Sequence, residues 1–187
     1  MKGVKTSLNE KDREYLLNLA RESISYYLKN KKSFNPQKPD SKILKAERAV
    51  FVTLNKNSNL CGCIGHMMAR TPLYKAVSEM AVSAAFQDYR FQQVKENEID
   101  KIEIEISVLS PMQKINDYKK IRLGIDGVYI KQGLKTGVYL PQVATNTGWN
   151  LDTFLSSLCS GKASLAFDAY KSQDVEICIF QVEKFSE

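Results

Sequence analysis

Apolar residues recur at Leu16, Leu19, Ala20, Ile24, Tyr27 and Leu28, the three-and-four spacing of a helix with one buried face. Ser7, with Glu10 three positions later, has the form of a capping box. The spacing predicts an amphipathic helix over residues 8–29, preceded by a tail of about residues 1–7. KNKKSFNPQKPDSK then breaks the pattern with two prolines, Asn and Ser, and residues 31–42 read as an exposed loop. AVFVTLN (49–55) is β-branched and apolar, KNSN (56–59) is turn chemistry, and LCGCIG (60–65) returns as a partner strand, so the stretch predicts a β-hairpin. Thr71-Pro72 opens the next helix, with Thr as cap and Pro in first position. Its stripe of Leu73, Ala76, Val77, Met80, Ala81 and Ala84 is made mostly of small residues that allow close packing on a sheet.

DYRF (88–91) reads as a tight exit. IEIEISVLS (102–110) alternates Ile with Glu, which predicts a strand with one buried face. VYIKQGLKTGVYL (128–140) predicts two short strands about a glycine turn. QVATNTGW (142–149) predicts a short helix ending near Gly148, and DTFLSSLCS (152–160) another capped by Asp152. VEICIFQVEKF (175–185) predicts one final strand. Interleaved elements with hairpin-like connections give an α+β class with mainly antiparallel sheet and flanking helices. The length of 187 residues favours one domain of two unequal lobes.

Composition narrows the function classes. Nothing approaches the roughly 20 apolar residues of a membrane span, and the charged N-terminus lacks the apolar run of a signal peptide. We therefore expect a cytoplasmic protein with reduced thiols. Residues 1–48 hold 12 Lys/Arg against 6 Asp/Glu, whereas the remainder holds 15 of each, so the whole net charge of +6 sits in the first quarter. That segment is either a solvated face or a surface for an anionic partner. No zinc-finger, RNA-binding aromatic or phosphate-loop pattern accompanies it, so the charge alone speaks for nucleic acid as a partner.

LCGCIGH (60–66) concentrates the candidate chemistry. It contains two of four cysteines and the only histidine. Cys63 is a candidate nucleophile, which needs a cation, helix terminus or base to stabilise its thiolate. Strand alternation puts Cys61, Cys63 and Gly65 on one side, and Gly62, Ile64 and His66 on the other. A straight strand therefore keeps His66 away from both thiols. One C-x-C and one His, with Cys159 and Cys178 distant, do not make a four-ligand metal site, and none is expected. Gly62 and Gly65 suit close approach by a ligand or another chain. Glu105, on the polar face of its strand, is either a catalytic, substrate-orienting group or a solvated or Lys-paired one. Asp88 and Arg90 are either substrate-orienting, a surface ion pair or a clamp at the helix C-terminus.

These stretches, in order, resemble the AMMECR family, protein A of the AmmeMemoRadiSam system. The likeness runs through FVTLN, LCGCIGH, PLYKAV, AAFQDYRF, IEISVLSP, GVYLPQVA, FLSSLC and FSE, nearly the whole chain. Leu60, Gly62, Cys63, Ile64 and Gly65 match the family's Leu-Arg-Gly-Cys-Ile-Gly, with Cys61 in place of its arginine. Asp88, Arg90 and Phe91 match Asp-Pro-Arg-Phe, with Tyr89 in place of the proline. Gln142 lies in the Leu-Pro-Gln-Val match, Trp149 in the Gly-Trp match, and Tyr170 stands where the family carries a Trp. The resemblance implies a two-lobed α+β fold and association with Memo-like and radical-SAM partners. It leaves the cofactor and the reaction unknown. The expected candidates are Cys63, His66 and Glu105 for chemistry, and Cys61, Gly62, Gly65, Asp88, Arg90, Gln142 and Trp149 for binding. Three functional readings follow: a thiol-centred component of a small-molecule or protein modification pathway, a non-enzymatic adaptor, or a basic nucleic-acid binder.

Overall fold

The computed structural model describes residues 7–187; the expected tail, but for Ser7, lies outside them. The chain divides into two compact units. One runs through Leu109 and takes back Glu183–Glu187, and the other is Ser110–Val182. Among the described residues each unit carries one four-stranded sheet.

The first unit opens with α1 (Glu10–Asn30). Its cap is Asn9 rather than Ser7. The Asn9 side chain accepts from the Asp12 N–H at 2.8 Å, and Asp12 reaches back to the Asn9 N–H. Asn-x-x-Asp closes the same reciprocal ring as Ser-x-x-Glu, but two residues later. Residues 31–41 are coil, exposed or half-buried, before the one-turn α2 (Lys42–Lys45). The hairpin forms from β1 (Val50–Lys56) and β2 (Asn59–His66). Asn57 and Ser58 at its tip both have positive φ, the two-residue turn that matches strand twist. α3 (Leu73–Phe86) starts one residue after the expected position; Pro72 is its cap, and the Thr71 hydroxyl caps nothing. β3 (Ile102–Leu109) pairs antiparallel with the far side of β1. The sheet order is β2-β1-β3-β8, with β8 (Val182–Ser186) on the other edge.

One face of this sheet is buried. Val50, Val52 and Leu54 of β1 and Ile102, Ile104 and Ile106 of β3 join Leu16, Leu19, Ile24, Leu73, Val77 and Ala81 of the helices in one core. Small residues let α1 and α3 meet closely. Ser23 and Ser78 hydroxyls bond to each other at 2.8 Å, and Ser23 also donates to the Leu19 carbonyl, so neither buried hydroxyl is orphaned.

The second unit has sheet order β4-β7-β5-β6, from β4 (Gln113–Ile115), β5 (Gly127–Gln132), β6 (Lys135–Tyr139) and β7 (Glu176–Phe180). α4 (Pro141–Thr147) ends at Gly148 in the left-handed conformation, as expected. α5 (Leu151–Ser157) is capped by Asn150, which accepts from the Thr153 N–H, and not by Asp152. It runs on into a π-helical turn, Leu158–Lys162. The expected final strand is two. VEICIFQVEKF breaks at Gln181, and its halves enter different sheets in different units. A continuous run of strand-forming residues hid the break: Ile177, Cys178 and Phe180 of β7 are buried, Val182 and Phe185 of β8 are half-buried, and no turn residue marks Gln181.

Candidate functional site

The signature strand is an edge. Among the described residues β2 pairs only with β1, and its register places Cys63 opposite Thr53, Ile64 opposite Val52 and His66 opposite Val50. Gly62 faces α3: a Cβ built there would stand 2.2 Å from the Ala84 carbonyl oxygen. The strand keeps its pairing to His66, so His66 shares the face of Gly62 and Ile64. The sheet therefore does not bring His66 to Cys63. The His66 Nδ1 is buried and has no hydrogen-bond partner among the described residues.

A bulge separates the two cysteines. The register slips between Leu54 and Asn55, leaving Cys61 as the extra residue of β2. Cys61 packs against the hydrophobic core and donates to the Leu54 carbonyl at 3.2 Å. This corrects the expectation that Cys61 and Cys63 share a side, which assumed an unbroken pleat. Cys61 lines a small hollow of about 100 Å³ with Lys56, Phe91, Val94 and Glu98. Burial pushes its thiol up, the Glu98 charge adds to that, and nearby Lys56 opposes it. Burial also pushes up the thiols of Cys159 and Cys178.

Cys63 stands apart from these three. It is half-buried on the opposite face, and the Thr53 hydroxyl donates to its Sγ at 3.3 Å. The Cys63 N–H and carbonyl point away from β1, toward the open edge of the sheet. Thr53 and Cys63 are thus a non-hydrogen-bonded pair, whose side chains lie closest. Thr53 also pairs with Glu105 across its other side. Cys63, Thr53 and Glu105 therefore form one row over three strands, and Glu105 is ion-paired with Lys184 of β8 at 2.7 Å. Gly65, two residues on, lies under the Phe51 ring, where a Cβ would come within 2.4 Å.

Asp88 and Arg90 occupy the open edge. α3 ends at Phe86, and residues 88–91 turn back with the Phe91 N–H donating to the Asp88 carbonyl. The Asp88 carboxylate, 6% exposed, accepts from the Cys63 N–H at 2.9 Å. Arg90 donates through Nη2 to the Cys63 carbonyl at 2.7 Å. Arg90 also binds Asp88 through Nε at 2.8 Å, Nη2 at 2.7 Å and its backbone N–H. The two side chains thus bond to Cys63 as a neighbouring strand does. Arg90 holds the Asp88 carboxyl far below the usual carboxylate range, with help from the Cys63 and Arg90 N–H groups. Asp88 in turn raises Arg90, and the Cys63 thiol adds a smaller contribution in the same direction.

Gln142 and Trp149 belong to the second unit. Gln142 is in α4 with Oε1 buried and unpartnered among the described residues, and Trp149 lies 6.5 Å from the Tyr139 ring. That unit also holds a cleft of about 730 Å³ lined by Lys114, Asn116, Tyr118, Tyr170, Lys171 and Glu176. Tyr170 anchors one wall by donating to Asp152 at 2.9 Å and meeting Tyr118 edge-on. None of the expected site residues lines it. Thr53 and Lys184 are likewise participants that motif reading passes over. Thr53 lies opposite Cys63 only because of the bulge: counting back from the hairpin tip without it puts Gly62 there.

Comparison with known proteins agrees with this architecture. The AMMECR1 family model matches residues 17–185. A Methanothermobacter thermautotrophicus protein is 38% identical over 92% of this chain and 92% of its own length. A Pyrococcus abyssi protein is 39% identical over 93% of this chain and 89% of its own. The crystal structure of an uncharacterized protein from Pyrococcus horikoshii superposes with a TM-score of 0.78 at 36% identity, covering 93% of this chain and 90% of that one. The chain belongs to the AMMECR1 family.

Proposed function

We propose that this AMMECR1-family protein is a thiol-centred component of a small-molecule or protein modification pathway, with Cys63 as its reacting group. The observation that carries this reading is the Thr53 hydroxyl donating to the Cys63 Sγ. A hydrogen bond to the sulfur favours the thiolate over the thiol, and the thiolate is the nucleophile. Arg90, ion-paired with Asp88, is fixed on the Cys63 carbonyl at 2.7 Å, so the backbone that carries the thiol is held in place. Cys61, Cys159 and Cys178 have burial against them. Glu105 belongs to the reading as the carboxylate of the same row. Memo-like and radical-SAM proteins are the proposed partners and the cytoplasm the proposed setting; no helix among the described residues is long and apolar enough to cross a membrane.

A docking-edge role for β2 has less support, since Asp88 and Arg90 already use the Cys63 backbone groups that an added strand needs. The test is the pH dependence of alkylation at each cysteine in the native protein, resolved by peptide mass spectrometry. Rapid reaction of Cys63 with an apparent pKa below the roughly 8.5 of a free thiol supports the reading. A Cys63 that stays inert until the protein unfolds removes it.

A further inference from the structure

We propose that Arg90 is the seat for a carboxylate on the substrate of Cys63, so that the substrate class is a small electrophile carrying a carboxylate beside its reactive carbon. This rests on the reading of Cys63 as nucleophile and adds to it the chemistry of what it attacks. Three of the nitrogens of Arg90 are committed: its backbone N–H and Nε to Asp88, and Nη2 to both Asp88 and the Cys63 carbonyl. Among the described residues Nη1 makes no hydrogen bond, although the side chain is 48% exposed. Its two N–H groups are held in place by the bonds of the rest of the fork, and the ring of Phe91 lies 5.4 Å from the guanidinium. An arginine already ordered gives up little freedom when it binds a carboxylate. Asp88 balances its charge, so recognition comes from directed N–H groups at short range rather than from a long-range field.

No second thiol lies on the Cys63 face to form an internal disulfide. Cys61 packs on the core face, and Cys159 and Cys178 are buried. The reaction open to Cys63 is therefore capture of an external electrophile. The thiol proton goes to solvent, the sulfur lone pair forms an S–C bond, and the leaving group departs with the electron pair of the bond that breaks. The carboxylate stays on Arg90 throughout.

Iodoacetate and iodoacetamide differ in that one carries the carboxylate and the other a neutral amide. We would measure both rates at Cys63 by peptide mass spectrometry, in the native protein and in urea. A carboxylate seat raises the iodoacetate-to-iodoacetamide ratio of native Cys63 by about tenfold over the unfolded chain, as one charge-assisted hydrogen-bonded contact does. Arg90→Gln should return the ratio to the unfolded value while iodoacetamide still reacts. If that variant does not fold, about 1 M salt replaces it for the wild type: a seat made of hydrogen bonds keeps most of its preference, whereas a general surface field loses it. A native ratio equal to the unfolded one overturns the seat and leaves the reactive thiol standing. A raised ratio that survives Arg90→Gln, or collapses in salt, assigns the preference to net charge and also overturns it. If neither reagent reaches native Cys63, the thiol reading itself fails and the seat falls with it.

Discussion

Gly62→Ala should be a damaging single-methyl change in the signature strand. The added Cβ would stand 2.2 Å from the Ala84 carbonyl oxygen and 3.0 Å from its carbon. Ordinary contact needs about 3.5 Å, so β2 and α3 must separate by roughly 1 Å. α3 cannot yield freely, because Leu73, Val77 and Ala81 on the same helix are fully buried in the shared core. Overpacking of this kind typically costs about 1–3 kcal/mol. Backbone contact puts Gly62 at the upper end, and the entropy gained by replacing Gly with Ala offsets only about 0.4–1 kcal/mol. We expect a net loss of about 2 kcal/mol. Gly148→Ala is the control. Gly148 has φ of +67° and nothing within 4 Å, so it pays left-handed strain alone, about 1 kcal/mol. The only tryptophan, Trp149, reports on the second unit. The assay is therefore hydrogen exchange of β2 peptides, calibrated by urea melts followed by circular dichroism. The reasoning fails if Gly62→Ala stays within 0.5 kcal/mol of the wild type, or is better tolerated than Gly148→Ala.

Thr53→Val removes the donor to the Cys63 sulfur, and should slow alkylation of Cys63 at neutral pH; an unchanged alkylation rate would falsify the role of that hydroxyl. Asp88→Asn should lower stability by about 2 kcal/mol, because the bonds to Arg90 lose their charge assistance; urea midpoints test this. The folded Asp88 pKa is depressed, so below about pH 4 the unfolded state binds more protons. The stabilisation is complete above about pH 4 and drains away as pH falls toward the folded value. Acid titration of stability should therefore be shallower in Asp88→Asn than in the wild type, and parallel curves would count against the clamp. Tyr89→Pro should be neutral or stabilising by up to about 1 kcal/mol, since Tyr89 is 95% exposed and sits at the second position of the 88–91 turn, where proline fits; thermal melts decide.

The sequence made the alternating and helical elements legible, because burial of one face imposes a period. Ile102, Ile104 and Ile106 are in the core, as their spacing requires. Capping residues were less legible. Ser7, Thr71 and Asp152 each have suitable chemistry, yet Asn9, Pro72 and Asn150 hold those positions. A cap depends on where the backbone leaves the helix, and several neighbouring polar residues compete for it. The site was legible as a list and not as an arrangement. A single extra residue at Cys61 moves Thr53 from Gly62 to Cys63 and turns Cys61 into the core. A one-residue slip reverses every facing relation downstream, and nothing in LCGCIGH marks which residue is extra.

The same bulge explains why two separated motifs act together. An edge strand leaves alternate N–H and carbonyl groups unpaired, and such an edge invites pairing with another chain. At Cys63 those groups face Asp88 and Arg90, which supply one acceptor and one donor at strand-like distances. A real strand would cover the whole edge and offer only backbone groups. A two-residue clamp closes the edge at one position and places a charged fork there. Asp88 can remain ionised at 6% exposure only because Arg90 and two N–H groups satisfy it. Arg90 is held at the Cys63 carbonyl because Asp88 fixes three of its bonds. Each residue therefore depends on the other and on the Cys63 backbone. Asp-Tyr-Arg-Phe and Leu-Cys-Gly-Cys-Ile-Gly are in this sense one structural unit, and substitution at Asp88 or Arg90 should register at the Cys63 thiol. That coupling is measurable as the non-additivity of Asp88→Asn and Thr53→Val on Cys63 alkylation. Independent effects would mean that the clamp shapes the strand without reaching its chemistry.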